Sequence, residues 1–141
     1  MSETFRFQLQ TDLRYGVGWS RNLGHFLREQ GFRRATVLVD EGCAAHSTYY
    51  PEILGLLKSE LDRVDALELR GTEEPDYDYL DEVTGRVKAL GEPDVLVGIG
   101  GGSCLDVAKA AAVLLTNPGK GIDYRGFDQV QNPGVPTVCI P

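Results

Sequence analysis

DVLVGIGGGSCLDVAKA, residues 94–110, is the stretch that decides the fold. DVLVGI (94–99) is almost continuously apolar, the character of a parallel strand buried on both faces. Gly100, Gly101 and Gly102 follow in a row, and an alanine-rich stretch from Ser103 to Leu115 then reads as a helix. A strand, a glycine turn and a helix in that order form a geometry that binds phosphates. Glycine lets backbone N–H groups come close to an anion, and the first helical turn adds unpaired N–H groups and a positive dipole end. Ser103 is expected to be the N-cap, with Asp106 completing a variant capping box.

The motif has limits. The dinucleotide fingerprint GxGxxG is met at Gly98 and Gly100, but its sixth position is Ser103. The P-loop pattern is absent, because no Gly-Lys-Ser/Thr follows. A tight structural turn also uses glycine clusters, so both readings stay open. The position of this cluster, at the carboxyl end of a buried strand, favours a phosphate site.

Working outward, ATVLVD (35–40), VDALEL (64–69) and VPTVCI (135–140) read as further strands. Helices are expected around Leu23, Phe26 and Leu27, over YPEILGLLKSEL (50–61), and over 76–90, where Leu80, Val83, Val87 and Leu90 recur at helical spacing. Phe5, Phe7 and Leu9 alternate with polar residues, and LRYGVG (13–18) could pair with them as an antiparallel hairpin at the edge of the sheet. Apolar strands alternating with helices imply an α/β, doubly wound, mainly parallel, Rossmann-like sheet. Asp40 closes an early strand, where such folds place an acid that binds a ribose; an N-cap or turn aspartate is the equally open alternative.

A chain of 141 residues with 42% apolar and 25% charged residues fits one ordinary domain. A net charge of −7 with no basic run argues against nucleic acid, and no apolar run is long enough for a membrane span. Cys43, Cys104 and Cys139 form neither an even set nor a CxxC pair, so a reducing cytoplasm is the expected home. The ending at Pro141, directly after an apolar strand, looks like a chain cut at a domain edge. His25 reads as a solvated helix residue, His46 as a loop residue, and Cys104 as a packing residue with no histidine base beside it. Tyr49, Tyr50, Tyr77 and Tyr79 read mostly as helix-start or core residues, with a place beside an adenine open to one of them.

GGGSCLDVAK (100–109) resembles the GGGSxxDxAK signature of the iron-containing (group III) alcohol dehydrogenases. The glycine turn YGVG (15–18), the strand ending in Asp40, the loop GTEEP (71–75) and the terminal VPTVCIP (135–141) agree with it. The resemblance spans essentially the whole chain, as the amino-terminal dinucleotide-binding domain (1–141) of proteins normally more than twice as long. It implies that Gly101, Gly102 and Ser103 hold a cofactor pyrophosphate while Gly100 shapes the turn. It also implies that Asp40 faces the adenosine ribose and favours NAD over NADP, that Asp106 lies toward the nicotinamide, and that Lys109 packs beneath the loop. Glu74 stands where the family often has an asparagine near the adenine. Ser103 favours the alcohol dehydrogenase branch over glycerol-dehydrogenase-like and dehydroquinate-synthase-like relatives. A stand-alone nucleotide-binding module is the other rival.

The activity implied is hydride transfer between NAD(P) and a small alcohol or aldehyde, with Fe2+ or Zn2+ acting on the substrate oxygen in the complete enzyme. The helical carboxy-terminal domain that holds the metal is expected to be absent from this chain. The 141 residues alone are therefore expected to hold neither metal ligands nor catalytic residues, and to be inactive. The oligomeric state is open, with a homodimer as one form.

Overall fold

Two runs of β-branched residues make the middle of the sheet. The computed structural model describes residues 4, 10–70 and 74–141. Among them, strands β1 (Arg34–Asp40), β2 (Arg63–Leu69), β3 (Val95–Ile99) and β4 (Thr137–Ile140) lie parallel in the order β2-β1-β3-β4. Every residue of β3 is buried, as are the five residues Ala35 to Val39 of β1. The edge strands β2 and β4 are only partly covered.

Helices α1 (Leu23–Glu29), α2 (Glu41–His46), α3 (Tyr49–Glu60), α4 (Tyr77–Leu90) and α5 (Gly102–Thr116) complete the described elements, with 3-10 turns at Trp19–Asn22 and Gly121–Tyr124. Alternation along β1 divides the core between the two faces of the sheet. Val37 and Val39 join Leu23 and Leu27 of α1 and Ile53 and Leu57 of α3 on one face. Leu38 joins Val83 and Val87 of α4 and Val107, Ala108 and Ala111 of α5 on the other. The small residues of α5 let it approach β3 closely, and a Cβ at Gly98 would stand 3.0 Å from that of Ala108.

The chain passes from β1 through α2 and α3 to β2 on one side, then through α4 to β3 on the other side of β1. Successive connections thus leave β1 in opposite directions, and the crevice of such a sheet opens at the carboxyl ends of β1 and β3. Asp40 ends β1, and the glycine run follows β3.

The expected strands and the longer helices stand within a residue or two of their expected bounds. Two expectations change. Residues 13–18 carry no strand; they are coil and turn leading into the 3-10 turn at Trp19, while Phe5, Phe7 and Leu9 lie outside the described residues. His46 is not in a loop but ends α2, a short helix capped by Asp40. No described helix is long and apolar enough to cross a membrane.

Candidate functional site

The glycines after β3 fall into two kinds. Gly100 has φ 144°, a conformation that L side chains rarely adopt, and a Cβ there would lie 2.6 Å from the Cβ of Asp40. Its N–H donates to the Ile140 carbonyl at 3.1 Å, tying the turn to β4. Gly98 and Gly100 are thus required by the packing of the protein itself. Gly101 and Gly102 are different. A Cβ at either would meet nothing within 4 Å. Gly101 has φ −71° and ψ 176°, open to any residue. No internal contact explains glycine at these two positions; open space lies in front of them.

Helix α5 starts behind this space. Gly101 is its N-cap and makes no side-chain cap bond. The Leu105 N–H, bonded to the Gly101 carbonyl at 3.1 Å, begins the helical ladder. The N–H groups before it are the unpaired donors that suit an anion. Ser103 is therefore not the N-cap, as the sequence suggested, but an exposed residue of the first turn. Asp106 does not cap either. Its carboxylate lies 2.6 Å from Lys109 Nζ one turn on, and both side chains are exposed, so Lys109 does not pack beneath the loop. The hydrogen bond and charge of Asp106 hold the Lys109 ammonium above its ordinary pKa.

Asp40 sits against Gly100 at the end of the neighbouring strand. Its Oδ1 accepts the N–H groups of Gly42 at 2.9 Å and Cys43 at 3.2 Å, capping α2; Oδ2 takes part in neither bond. Cys104 faces inward, its Sγ donating to the carbonyls of Ile99 at 3.4 Å and Leu38 at 3.6 Å. Burial pushes its thiol up to about 11, so it is a neutral packing group at physiological pH. His25 is exposed, 3.3 Å from Glu29. Among the described residues no three His, Cys, Asp or Glu come together to hold a metal ion.

A cleft of about 360 Å³ opens beside the loop, lined by Arg70, Glu74, Asp76, Asp78, Tyr79 and Glu82 among others. A separate, far smaller space of about 10 Å³ is bordered by Arg70, Tyr79, Ser103 and Cys104 among others. Arg70 was not singled out from the sequence, and Tyr79 only as one of four tyrosines of which one could lie by an adenine. Both come to the site from β2 and α4, and no local pattern marks them.

An open α/β sheet whose glycine loop and strand-end aspartate meet at the switch point defines a Rossmann-like fold. The chain belongs to the iron-containing alcohol dehydrogenase family, whose model matches residues 10–141. It is 32% identical over 127 residues to the sulfoacetaldehyde reductase of Bilophila wadsworthia (strain 3_1_6), covering 90% of this chain and 32% of that protein. It is 31% identical over 125 residues to the NAD-dependent methanol dehydrogenase of Bacillus methanolicus, covering 89% of the chain and 32% of that protein. The NADH-dependent butanol dehydrogenase A of Thermotoga maritima has the same fold, with a TM-score of 0.81 at 24% identity over 97% of this chain and 34% of that one. A sulfoacetaldehyde reductase from Bifidobacterium kashiwanohense, solved in complex with NAD+, superposes with a TM-score of 0.83 at 18% identity, covering 99% of this chain and 36% of that one. The chain spans about a third of the length of these relatives.

Proposed function

We propose that this chain is the part of an NAD-linked alcohol dehydrogenase or aldehyde reductase that binds and orients the nicotinamide dinucleotide. The observation that carries this reading is the contrast among the glycines. Gly98 and Gly100 answer to the protein's own packing, whereas Gly101 and Gly102 face open space that a Cβ would enter. The pyrophosphate fits there, on the N–H groups of Gly101, Gly102 and Ser103 and the positive end of α5, with Gly100 holding the turn.

Asp40 turns toward the ribose of the adenosine. With Oδ1 committed to capping α2, Oδ2 accepts from the ribose hydroxyls, and the carboxylate repels a 2′-phosphate, so NAD is the cofactor and NADP is disfavoured. Asp106, on the outer side of the first turn and tied to Lys109, lies toward the nicotinamide half. The bound cofactor supplies the hydride acceptor or donor for a small alcohol or carbonyl carbon. That substrate class follows relatives named as a sulfoacetaldehyde reductase and a methanol dehydrogenase. The described residues do not fit an Fe2+ or Zn2+ centre, so what this chain does is hold and orient the cofactor.

Calorimetric titration with NAD and NADP tests the reading. Binding of NAD in preference to NADP is the expected result, and no uptake of either nucleotide would overturn it.

A further inference from the structure

The segment between α5 and β4 is a loop whose two ends are tied together. Buried Asn117 accepts the N–H groups of Gln131 at 3.2 Å and Asn132 at 2.9 Å on Oδ1, and its Nδ2 donates to the Asn132 carbonyl at 2.9 Å. Thr116 Oγ1 donates to the Pro133 carbonyl at 2.7 Å, and Asp81 of α4 accepts the Gly121 N–H at 2.7 Å. On this footing the chain turns at Gly126 and Asp128, with φ 114° and 59°, and the Gln129 side-chain amide donates to the Phe127 carbonyl at 2.8 Å. Phe127 stands at the tip, 93% exposed, and Val130 three residues on is exposed as well. A ring so presented adds nothing to the core, while the tied ends order the loop before any partner arrives.

We propose that this tip is a contact surface for a second copy of this chain, paired about a two-fold axis at Phe127. The inference is independent of the dinucleotide reading, and the charges select the partner. The chain carries a net charge of −7, but residues 117–134 hold Lys120, Asp123, Arg125 and Asp128, two cations and two anions, so the loop is locally neutral. Two acidic molecules repel one another least where such neutral patches meet. Asp123 is engaged within the loop, accepting the Lys120 N–H at 2.8 Å. Arg125 and Asp128, among the described residues, make no ion pair within the chain. They flank Phe127 with opposite signs. Two loops related by a two-fold axis run antiparallel, so Arg125 of one copy meets Asp128 of the other, twice over, around the paired rings. Leu13, Tyr15 and Val17 are exposed too, but their neighbouring charges are already paired: Arg14 lies 2.9 Å from Asp12 and over the Trp19 and Phe26 rings. Nothing is left there to select a partner by charge.

The test is sedimentation equilibrium of the chain over a range of concentrations, with circular dichroism of each variant. The parent's mass should rise reversibly toward that of two chains. Phe127→Ser should weaken the association about 100-fold, because each dimer loses the anchor twice. Arg125→Glu sets like charges against Asp128 and should weaken it about tenfold at low salt, whereas Arg125→Lys should associate like the parent. Tyr15→Ser should change nothing. A parent that stays monomeric at every concentration would overturn the inference and leave the tip to some other partner. Parent-like association of Phe127→Ser, or its loss in Tyr15→Ser, would also overturn it by placing the contact elsewhere. Equal weakening by Arg125→Glu and Arg125→Lys would do the same, since it would remove the charge pairing that selects a second copy.

Discussion

Asp94 and Asp40 stand at opposite ends of the sheet, and the fold uses them differently. Asp94, just before β3, accepts the N–H groups of Arg33 at 2.9 Å and Arg34 at 2.8 Å on Oδ2 and the Arg34 guanidinium at 3.0 Å on Oδ1. Both of its oxygens join β1 to β3. Asp40, just after β1, uses Oδ1 to cap α2, and Oδ2 takes no part in the cap. Elsewhere in the fold, buried Asn117 bonds through its side-chain amide to Val113, Asn132, Thr116 and Gln131, pinning the segment from 118 to 132. The amino end of the sheet is internally satisfied, whereas the carboxyl end keeps polar groups and open space beyond what folding requires. That surplus is what the proposed cofactor site draws on.

The contrast breaks most sharply inside the glycine run. Gly100→Ala should cost about 3 kcal/mol of stability, because it combines a strained φ with a Cβ driven into that of Asp40. Urea denaturation measures this, and an unchanged midpoint would mean that the turn relaxes freely. Gly101→Val, one residue on, should leave the midpoint almost unmoved, because its Cβ enters open space. Its NAD affinity should fall about 100-fold, or about 2.7 kcal/mol, as the branched side chain takes the place of the pyrophosphate. Normal binding in that variant would reduce the loop to a structural turn.

Asp94→Ala probes the other end. Removing the acceptor leaves two backbone N–H groups without their partner, for a loss of about 2 kcal/mol with NAD affinity unchanged. Partial burial pushes the Asp94 carboxyl up, but the bonds from Arg33 and Arg34 outweigh it and hold the group below its ordinary pKa. A depressed folded value means that the contribution is complete above the unfolded carboxylate pKa of about 3.9 and is lost as pH falls through the folded value. The stability gap between parent and variant should therefore be constant near neutral pH and narrow below about pH 4. A gap that persists unchanged in acid would mean that the charge plays no part.

What the sequence revealed and what it hid follow from the range of the forces. Periodic apolar patterns act over neighbouring residues, so β1, β3, α4 and α5 could be read from them. Helix α2 is too short for periodicity to show, and it depends on one cap, Asp40. The Ser103–Asp106 capping box failed because the N-cap of α5 is Gly101, two residues before Ser103, which shifts every cap position. Arg70 with Tyr79, and Asp94 with Arg33, are tertiary contacts, the latter 61 residues apart, and no local spacing encodes them. The glycine loop was legible as the turn between β3 and α5, but the division of labour within it rests on tertiary packing. Only the distances from each absent Cβ separate the glycines that pack from those that face open space.

The smallest expected effect returns to Asp40. Asn caps helices about as well as Asp, so Asp40→Asn should keep α2 and change stability by no more than a few tenths of a kcal/mol. It removes the charge and retains an oxygen that can accept from a ribose hydroxyl. At a solvent-facing site, a carboxylate a few ångströms from a 2′-phosphate is worth about 1 kcal/mol of repulsion. Losing it should narrow the preference for NAD over NADP about fivefold, mostly by strengthening NADP. Titration of parent and variant with both nucleotides measures the ratio. Added salt should narrow the parent's ratio and leave the variant's nearly unchanged, because only the parent's discrimination is electrostatic. A ratio identical in the two proteins would return Asp40 to the role Asp94 has at the other end of the sheet, a carboxylate spent wholly on the fold.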